Sequence, residues 1–338
     1  MSNSDLFLYQ AIEEYLDTLP KSERTIKGYR TGLHYLCVSL DDLEDFTIEE
    51  ALKSAWKRPV TDLTPDVIES LLKQMRDKRT GISAATEHVY LIAIRGFLEY
   101  LHDERGVSLD LVRIKSLIKK RKRKAPTRLP HFPEDEIRKV IEYALESRDF
   151  ASDDEKEQMI YLRDRAFVLT LADTGLRVHE ACQLKRGQIN WNEGNALIIG
   201  KGDKEALVRF SERSMRLLRV YLNARQHLDG SMGIPLSALP VFARHDRGAG
   251  RKVLAISTNT GRDIVARMVA RSIGENYTQQ ITPHSFRHFF VTKVLRATQG
   301  NMRMAQEMAR HKNIATTQVY THLANPELDK TYHDIFNT

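Results

Sequence analysis

Long apolar runs are missing from this 338-residue chain. Stretches such as AFVLTLA, residues 166–172, fall far short of the roughly 20 residues that a membrane-spanning helix requires. A basic, then apolar, leader is also lacking: the chain opens MSNSDLFLYQ, and a cytoplasmic protein is expected. Cysteine is scarce. Cys37 and Cys182 are too few and too far apart for a disulfide framework or a cysteine zinc cage, so both are expected to be buried thiols. No internal repeat occurs, and no low-complexity tract beyond one run of cations.

What is present is enough apolar sequence for a core and more chain than one core usually organises, so two domains are expected. The formal charge of +7 is unevenly spread. Residues 1–118 carry 15 Lys and Arg against 20 Asp and Glu, while the remainder carries 37 against 25. A basic excess serves solubility in many proteins. Concentrated in one part of a chain, it points to a polyanion whose counterions Lys and Arg displace.

The first ~110 residues read as four helices. Leu8, Ile12 and Leu16 share a face, and Tyr29, Leu33 and Leu36 follow a Ser22 cap. Thr64 before Pro65 is a cap with proline at the first helical position. Ser83 caps a fourth helix that stops at Gly106. Next, KSLIKKRKRKAPTRLP places six cations, Lys119, Lys120, Arg121, Lys122, Arg123 and Lys124, ahead of Pro126 and Pro130. Like charges repel and proline resists a helix, so residues 119–131 read as a linker, either a solvated tether or, the reading favoured here, a strand of cations lying along a nucleic-acid backbone. From residue 132 helices resume, interrupted by NALIIGKGDKEALVRF, a β-hairpin pattern with Lys201 at its bend. The expected fold is therefore mainly α with two domains: a four-helix bundle over 1–118, and a mixed α+β domain over 132–338 containing a small antiparallel sheet.

Four polar stretches stand where a plain core would not. In DTGLRVHE, Arg177 opens a short helix after a glycine turn, and Glu180 is three residues on, within ion-pair reach. GKGDKE lacks the Ser or Thr that follows a P-loop lysine. Its Lys201 could donate a proton to a departing oxygen, although hairpin lysines are commonly only solvated. In TPHSFRHFF, His284 and Arg287 lie one turn apart, and His284 and His288 have the spacing of a zinc pair. No glutamate follows His284 and no third ligand is evident, so no metal site is expected. In HKNIATTQVYTH, His311 and Tyr320 would fall on opposite faces of one helix. They can share a site only if the chain turns between them, with Asn313 at a left-handed helix end and Thr316 or Thr317 capping the next helix.

Taken in order, TGLRVHE, GKGDKE, PHSFRH and ARHKNIATTQVYTH make the chain resemble the tyrosine recombinase, or phage integrase, family. The resemblance implies a core-binding domain over 1–118, an interdomain strap over 119–131, and a catalytic domain over 132–338 whose tail packs on a neighbouring subunit. It implies that Arg177 and Arg287 clamp the scissile phosphate, that Lys201, His284 and His311 fill the lysine and histidine positions, and that Tyr320 is the nucleophile. One departure is visible. The family often has glycine before the second histidine, where this chain has Arg310, a residue that could instead touch DNA.

These residue types suit the chemistry. Guanidinium forks fit phosphate oxygens better than ammonium does and stabilise a developing phosphorane. A phenol with a pKa near 10 needs a base or a positive field to attack. His284 is the candidate base, His311 a phosphate ligand and Lys201 the acid. Tyr332 sits at helical spacing with Leu328 and Ile335, so it is the weaker candidate nucleophile. No metal or cofactor is called for. The implied partners are double-stranded DNA with paired half-sites and further copies of the chain in a tetrameric synapse, at the nucleoid. A type IB topoisomerase or a non-catalytic DNA-binding protein are the competing readings.

Overall fold

The computed structural model describes residues 6–38, 40, 58–77, 80–123, 133–146, 153–200, 204–311 and 313–318. It divides into two compact units, Met1–Arg128 and Leu129–Thr338. Among the described residues the first is mainly helical and the second is helical with one small antiparallel sheet, the expected fold class.

The first unit contains α1 (Leu8–Thr18), α2 (Glu23–Val38), α3 (Pro65–Gln74), α4 (Ala84–Asp103) and α5 (Leu111–Arg121). Thr64 caps α3 by accepting from the Val67 amide, with Pro65 at the first position, and Ser83 caps α4 through the Thr86 amide. Their apolar stripes meet in one core that includes Leu8, Ile12, Leu33, Leu36, Ile68, Leu71, Ile94 and Phe97. Close approach of α2 to α4 depends on Gly32, where a Cβ would stand 2.9 Å from the Tyr90 Cα.

Helix α5 corrects the linker reading. Asp110 caps it at the Arg113 amide (2.9 Å), and Ile114 and Ile118, one turn apart, are buried. Lys119, Lys120 and Arg121 form its last turn, where the negative end of the helix dipole favours cations. Helical order thus runs three residues into the segment read as a strap, and the bundle has a fifth helix. Two of the six cations are also committed within the unit. Arg121 pairs with Glu69. Arg123 bonds the buried Glu87 carboxylate and donates to the carbonyls of Ile82 (2.8 Å) and Met75 (3.1 Å). Lys119, Lys120 and Lys122 are exposed. Lys124 lies outside the described residues.

In the second unit, α6 (Glu134–Glu146) and α7 (Glu155–Thr174) are followed by α8 (Val178–Gln183). Strands β1 (Ile189–Asn190), β2 (Asn195–Gly200) and β3 (Lys204–Arg209) then form a meander of order β1-β2-β3. Helices α9 (Glu212–Ala224), α10 (Gln226–Gly230), α11 (Thr258–Ile273), α12 (Pro283–Ala297), α13 (Met302–Ala309) and α14 (Ala315–Gln318) follow among the described residues. The run at residues 166–172 lies in the C-terminal half of α7 and is buried all round, which is why it is apolar but for Thr170. Register Ile198↔Ala206 sets β2 against β3, burying Ala196, Ile198 and Val208 while Leu197, Ile199 and Leu207 face outward, the two-residue period of a half-covered sheet. Asp173, near the end of α7, holds Arg213 (Nε at 2.7 Å) and Ser211, fixing the chain where it leaves β3.

Candidate active site

The site is built around the turn from α7 to α8. Gly175 ends α7 in the left-handed conformation (φ 60°, ψ 21°). Thr174 steadies the turn, accepting from the Leu176 amide at 3.2 Å while its hydroxyl donates to the Thr170 carbonyl at 2.6 Å. Arg177 stands at the cap of α8, and Glu180 takes its backbone N–H (2.8 Å) and its Nη1 (2.9 Å) on separate carboxylate oxygens. The ion pair anticipated from spacing is present, and it is more than a surface pair. The Glu180 side chain is only 4% exposed, while 40% of the Arg177 side chain faces outward. Helix α8 sits close against α11 because Gly261 has no side chain: a Cβ there would come within 2.9 Å of both Cys182 Sγ and Val178 Cγ2.

Arg287 arrives from α12, started by Pro283 after Thr282. It is buried, and its fork is aimed by two main-chain carbonyls. Nη1 donates to Gly175 and Nη2 to Ala309, so Arg287 joins the α7–α8 turn to the end of α13. His284, one turn earlier, is exposed and packs edge-on against His288 with ring centroids 4.2 Å apart. His311 is buried and its Nδ1 lies 2.9 Å from the Thr317 hydroxyl.

Three expectations about the segment from Arg310 to Thr317 are corrected. The left-handed residue that ends α13 is Arg310 (φ 56°, ψ 44°), not Asn313. A glycine suits that position for its backbone freedom at positive φ. Nor is Arg310 at the surface: its side chain is 11% exposed and bonds Glu180 and the Gly175 carbonyl. Thr317, expected as a possible cap, is instead buried and occupied with His311. Thr317→Val keeps the shape and removes the hydroxyl. It should lower the unfolding free energy by about 1–3 kcal/mol, read by urea titration. An unchanged midpoint would remove the hydroxyl from this role.

Electrostatically the four described candidates share one neighbourhood. Desolvation and then the charges of Arg287 and Arg177 hold the His284 imidazole below its ordinary range. The same causes, with nearby imidazoles, push His311 down to about 4. Burial alone would raise Glu180, but the Arg177 amide and the Arg310 and Arg177 guanidiniums outweigh it and keep it ionised. The resting site therefore combines fixed positive charge with neutral imidazoles, a combination suited to receiving an anion and accepting a proton. His284 and His288 do not extend to a metal cluster; no group of three His, Cys, Asp or Glu that could hold a metal ion occurs among the described residues. Arg177, His284, Arg287 and His311 come together. Lys201, in the β2–β3 connection, and Tyr320, beyond α14, lie outside the described residues. The residues that sequence reasoning missed are Gly175 and Ala309, whose carbonyls aim Arg287. Gly175 was legible as a helix stop, but a carbonyl acceptor leaves no side-chain signature.

Among known proteins, the tyrosine recombinase XerC of Thermodesulfovibrio yellowstonii is 26% identical over 333 residues, covering 98% of this chain and 96% of that protein. The tyrosine recombinase XerD of Listeria monocytogenes is 27% identical over 318 residues, 92% of each. Two solved structures share the fold. XerH site-specific recombinase bound to palindromic difH substrate has a TM-score of 0.60 at 18% identity, over 98% of this chain and 96% of that one. A lambda integrase dimer bound to a COC′ core site has a TM-score of 0.58 at 16% identity, over 94% and 95%. Residues 131–327, more than half of the chain, match the phage integrase family. The chain with this pair of cross-braced arginines belongs to the phage integrase family.

Proposed function

We infer that this protein is a site-specific DNA recombinase that cleaves and rejoins duplex DNA through a 3′-phosphotyrosyl intermediate. The observation that carries the reading is the joint placement of Arg177 and Arg287, bridged by Glu180, Arg310 and the Gly175 carbonyl, beside two neutral imidazoles. In the proposed reaction the arginines bond the non-bridging oxygens of a phosphodiester. The Tyr320 oxygen attacks phosphorus as its proton passes to His284, and His311 steadies the phosphorane. The bond from phosphorus to the 5′ oxygen breaks, and Lys201 protonates the departing oxygen. A 5′-hydroxyl from a second duplex then attacks the phosphotyrosine and releases Tyr320. The phosphoester energy is conserved, so resealing needs no nucleotide cofactor, and the guanidiniums supply the charge that a metal would otherwise provide.

The N-terminal unit serves as a second DNA-contacting body, with Lys119, Lys120 and Lys122 as phosphate contacts. The catalytic unit and the tail to residue 338 assemble copies of the chain on paired half-sites, up to a tetrameric synapse at the nucleoid.

The test begins by selecting bound sequences from random duplex, then offers the selected site as a nicked suicide substrate. A covalent protein–DNA adduct should accumulate, and peptide mapping should find the nucleotide on Tyr320. Linkage to another residue, or no adduct on a tightly bound site, overturns the reading. Relaxation of plasmid lacking the site would assign the chemistry to a topoisomerase.

A further inference from the structure

Arg310 breaks two local rules at once. Among the described residues it is one of two non-glycine residues with positive φ, a region where a Cβ crowds the following carbonyl. Its guanidinium is carried inward, and Nε and Nη1 are buried there with no hydrogen-bond partner among the described residues. Burial pulls its pKa down, against the raising influence of Glu180. A glycine would end α13 with neither cost. Residues that local physics disfavours persist where the surrounding structure makes use of them, and the contacts of Arg310 show what that use is.

Its Nη2 lies 3.1 Å from Glu180 Oε2 and 3.3 Å from the Gly175 carbonyl. Glu180 is the carboxylate that holds Arg177, and Gly175 supplies a carbonyl that aims Arg287. The carbonyl of the preceding residue, Ala309, is the other anchor of Arg287. One guanidinium therefore touches the support of both phosphate-clamp arginines. We propose that Arg310 is a positioning residue that locks Arg177 and Arg287 into one rigid clamp through Glu180 and Gly175, and that its charge balances a carboxylate which would otherwise neutralise Arg177. Arg177 and Arg310 face the one carboxylate and Arg287 stands on the carbonyls beside it, so these four side chains carry a surplus of two positive charges for an incoming phosphate. The inference rests on the recombinase reading above.

The informative variant is Arg310→Gly, because glycine accepts the backbone conformation and the fold should be as stable or more so. On the nicked suicide duplex its single-turnover cleavage should fall by about tenfold to a hundredfold, the scale of a misplaced reacting group. Duplex binding should stay within about threefold, since that draws on many phosphates. Arg310→Lys keeps the charge but has no planar fork, so its rate should fall between the two. Millimolar guanidinium ion should restore part of the Arg310→Gly rate by occupying the vacated space, a recovery that a purely structural role would not give. Wild-type cleavage by Arg310→Gly overturns the proposal while leaving the recombinase reading standing, as does a less stable Arg310→Gly fold or no response to guanidinium. Absence of adduct in the wild type removes the underlying reading instead.

Discussion

Arg287→Lys should lower the single-turnover cleavage rate by about 10²–10³-fold, the cost typical of removing one preorganised donor to a transition-state oxyanion. Arg287 is buried, and its two terminal nitrogens are fixed by carbonyls of Gly175 and Ala309 on different elements. A guanidinium carries five N–H groups in a rigid plane, so two spent on carbonyls set the direction of the fork without exhausting it. An ammonium has three rotatable donors around a point charge and cannot span both carbonyls while presenting a second pair of donors. The charge survives the substitution; the geometry does not. Duplex affinity should change by no more than about threefold, because many phosphates share in binding. Gel-shift and adduct assays on the same preparation separate the two quantities. Cleavage within about threefold of wild type would mean that charge alone, and not the braced fork, is what the site requires.

The second large effect is expected at Gly175. An alanine there would adopt a left-handed conformation at φ 60°, and its Cβ would overlap the Phe290 ring, with Cγ at 2.9 Å and Cε1 at 3.0 Å. The conformational cost is about 1–2 kcal/mol and the overpacking about 1–3 kcal/mol. Gly175→Ala should therefore lose about 2–5 kcal/mol of unfolding free energy. The folded fraction should also cleave poorly, since relief of the clash moves a carbonyl to which Arg287 and Arg310 both donate. Gly233→Ala is the matched control. Its φ is 65°, and nothing lies within 4 Å of the added Cβ, so it should show the backbone cost alone. Equal losses for the two variants would show that Phe290 gives way and that the turn tolerates a side chain.

Much of this architecture could be read before any coordinates. The Thr64-Pro65 and Ser83 caps, the Gly175 stop, the start of α8 at Arg177 and the β2–β3 hairpin are local features written in adjacent residues, and each is where it was expected. The pairing of Arg177 with Glu180 followed from helical spacing in the same way. Helix α5 escaped because only two of its apolar residues, Ile114 and Ile118, are buried, and the neighbouring cations imitate a solvated tether. The end of α13 was misjudged because Asn313 is the more usual left-handed residue, and no sequence rule favours arginine there. Thr317 read as a helix starter until the fold delivered His311 to it. The acceptors that orient Arg287 were out of reach for a simpler reason. Every residue but proline offers the same N–H and C=O, so only the path of the chain decides which carbonyl meets which guanidinium.

That path has a consequence for when the protein becomes dangerous to DNA. Arg287 is 112 positions from Gly175, and Arg310 is 135 positions from it, so the arginine brace closes only after α13 has emerged and docked. Synthesis at about 5–20 residues per second leaves the ribosome-bound chain without that closure for several seconds after Arg177 appears. During this interval the N-terminal unit can already fold around its own core. A half-made chain therefore has its first unit in place but not the braced arginine pair, which is assembled only once α12 and α13 have left the ribosome.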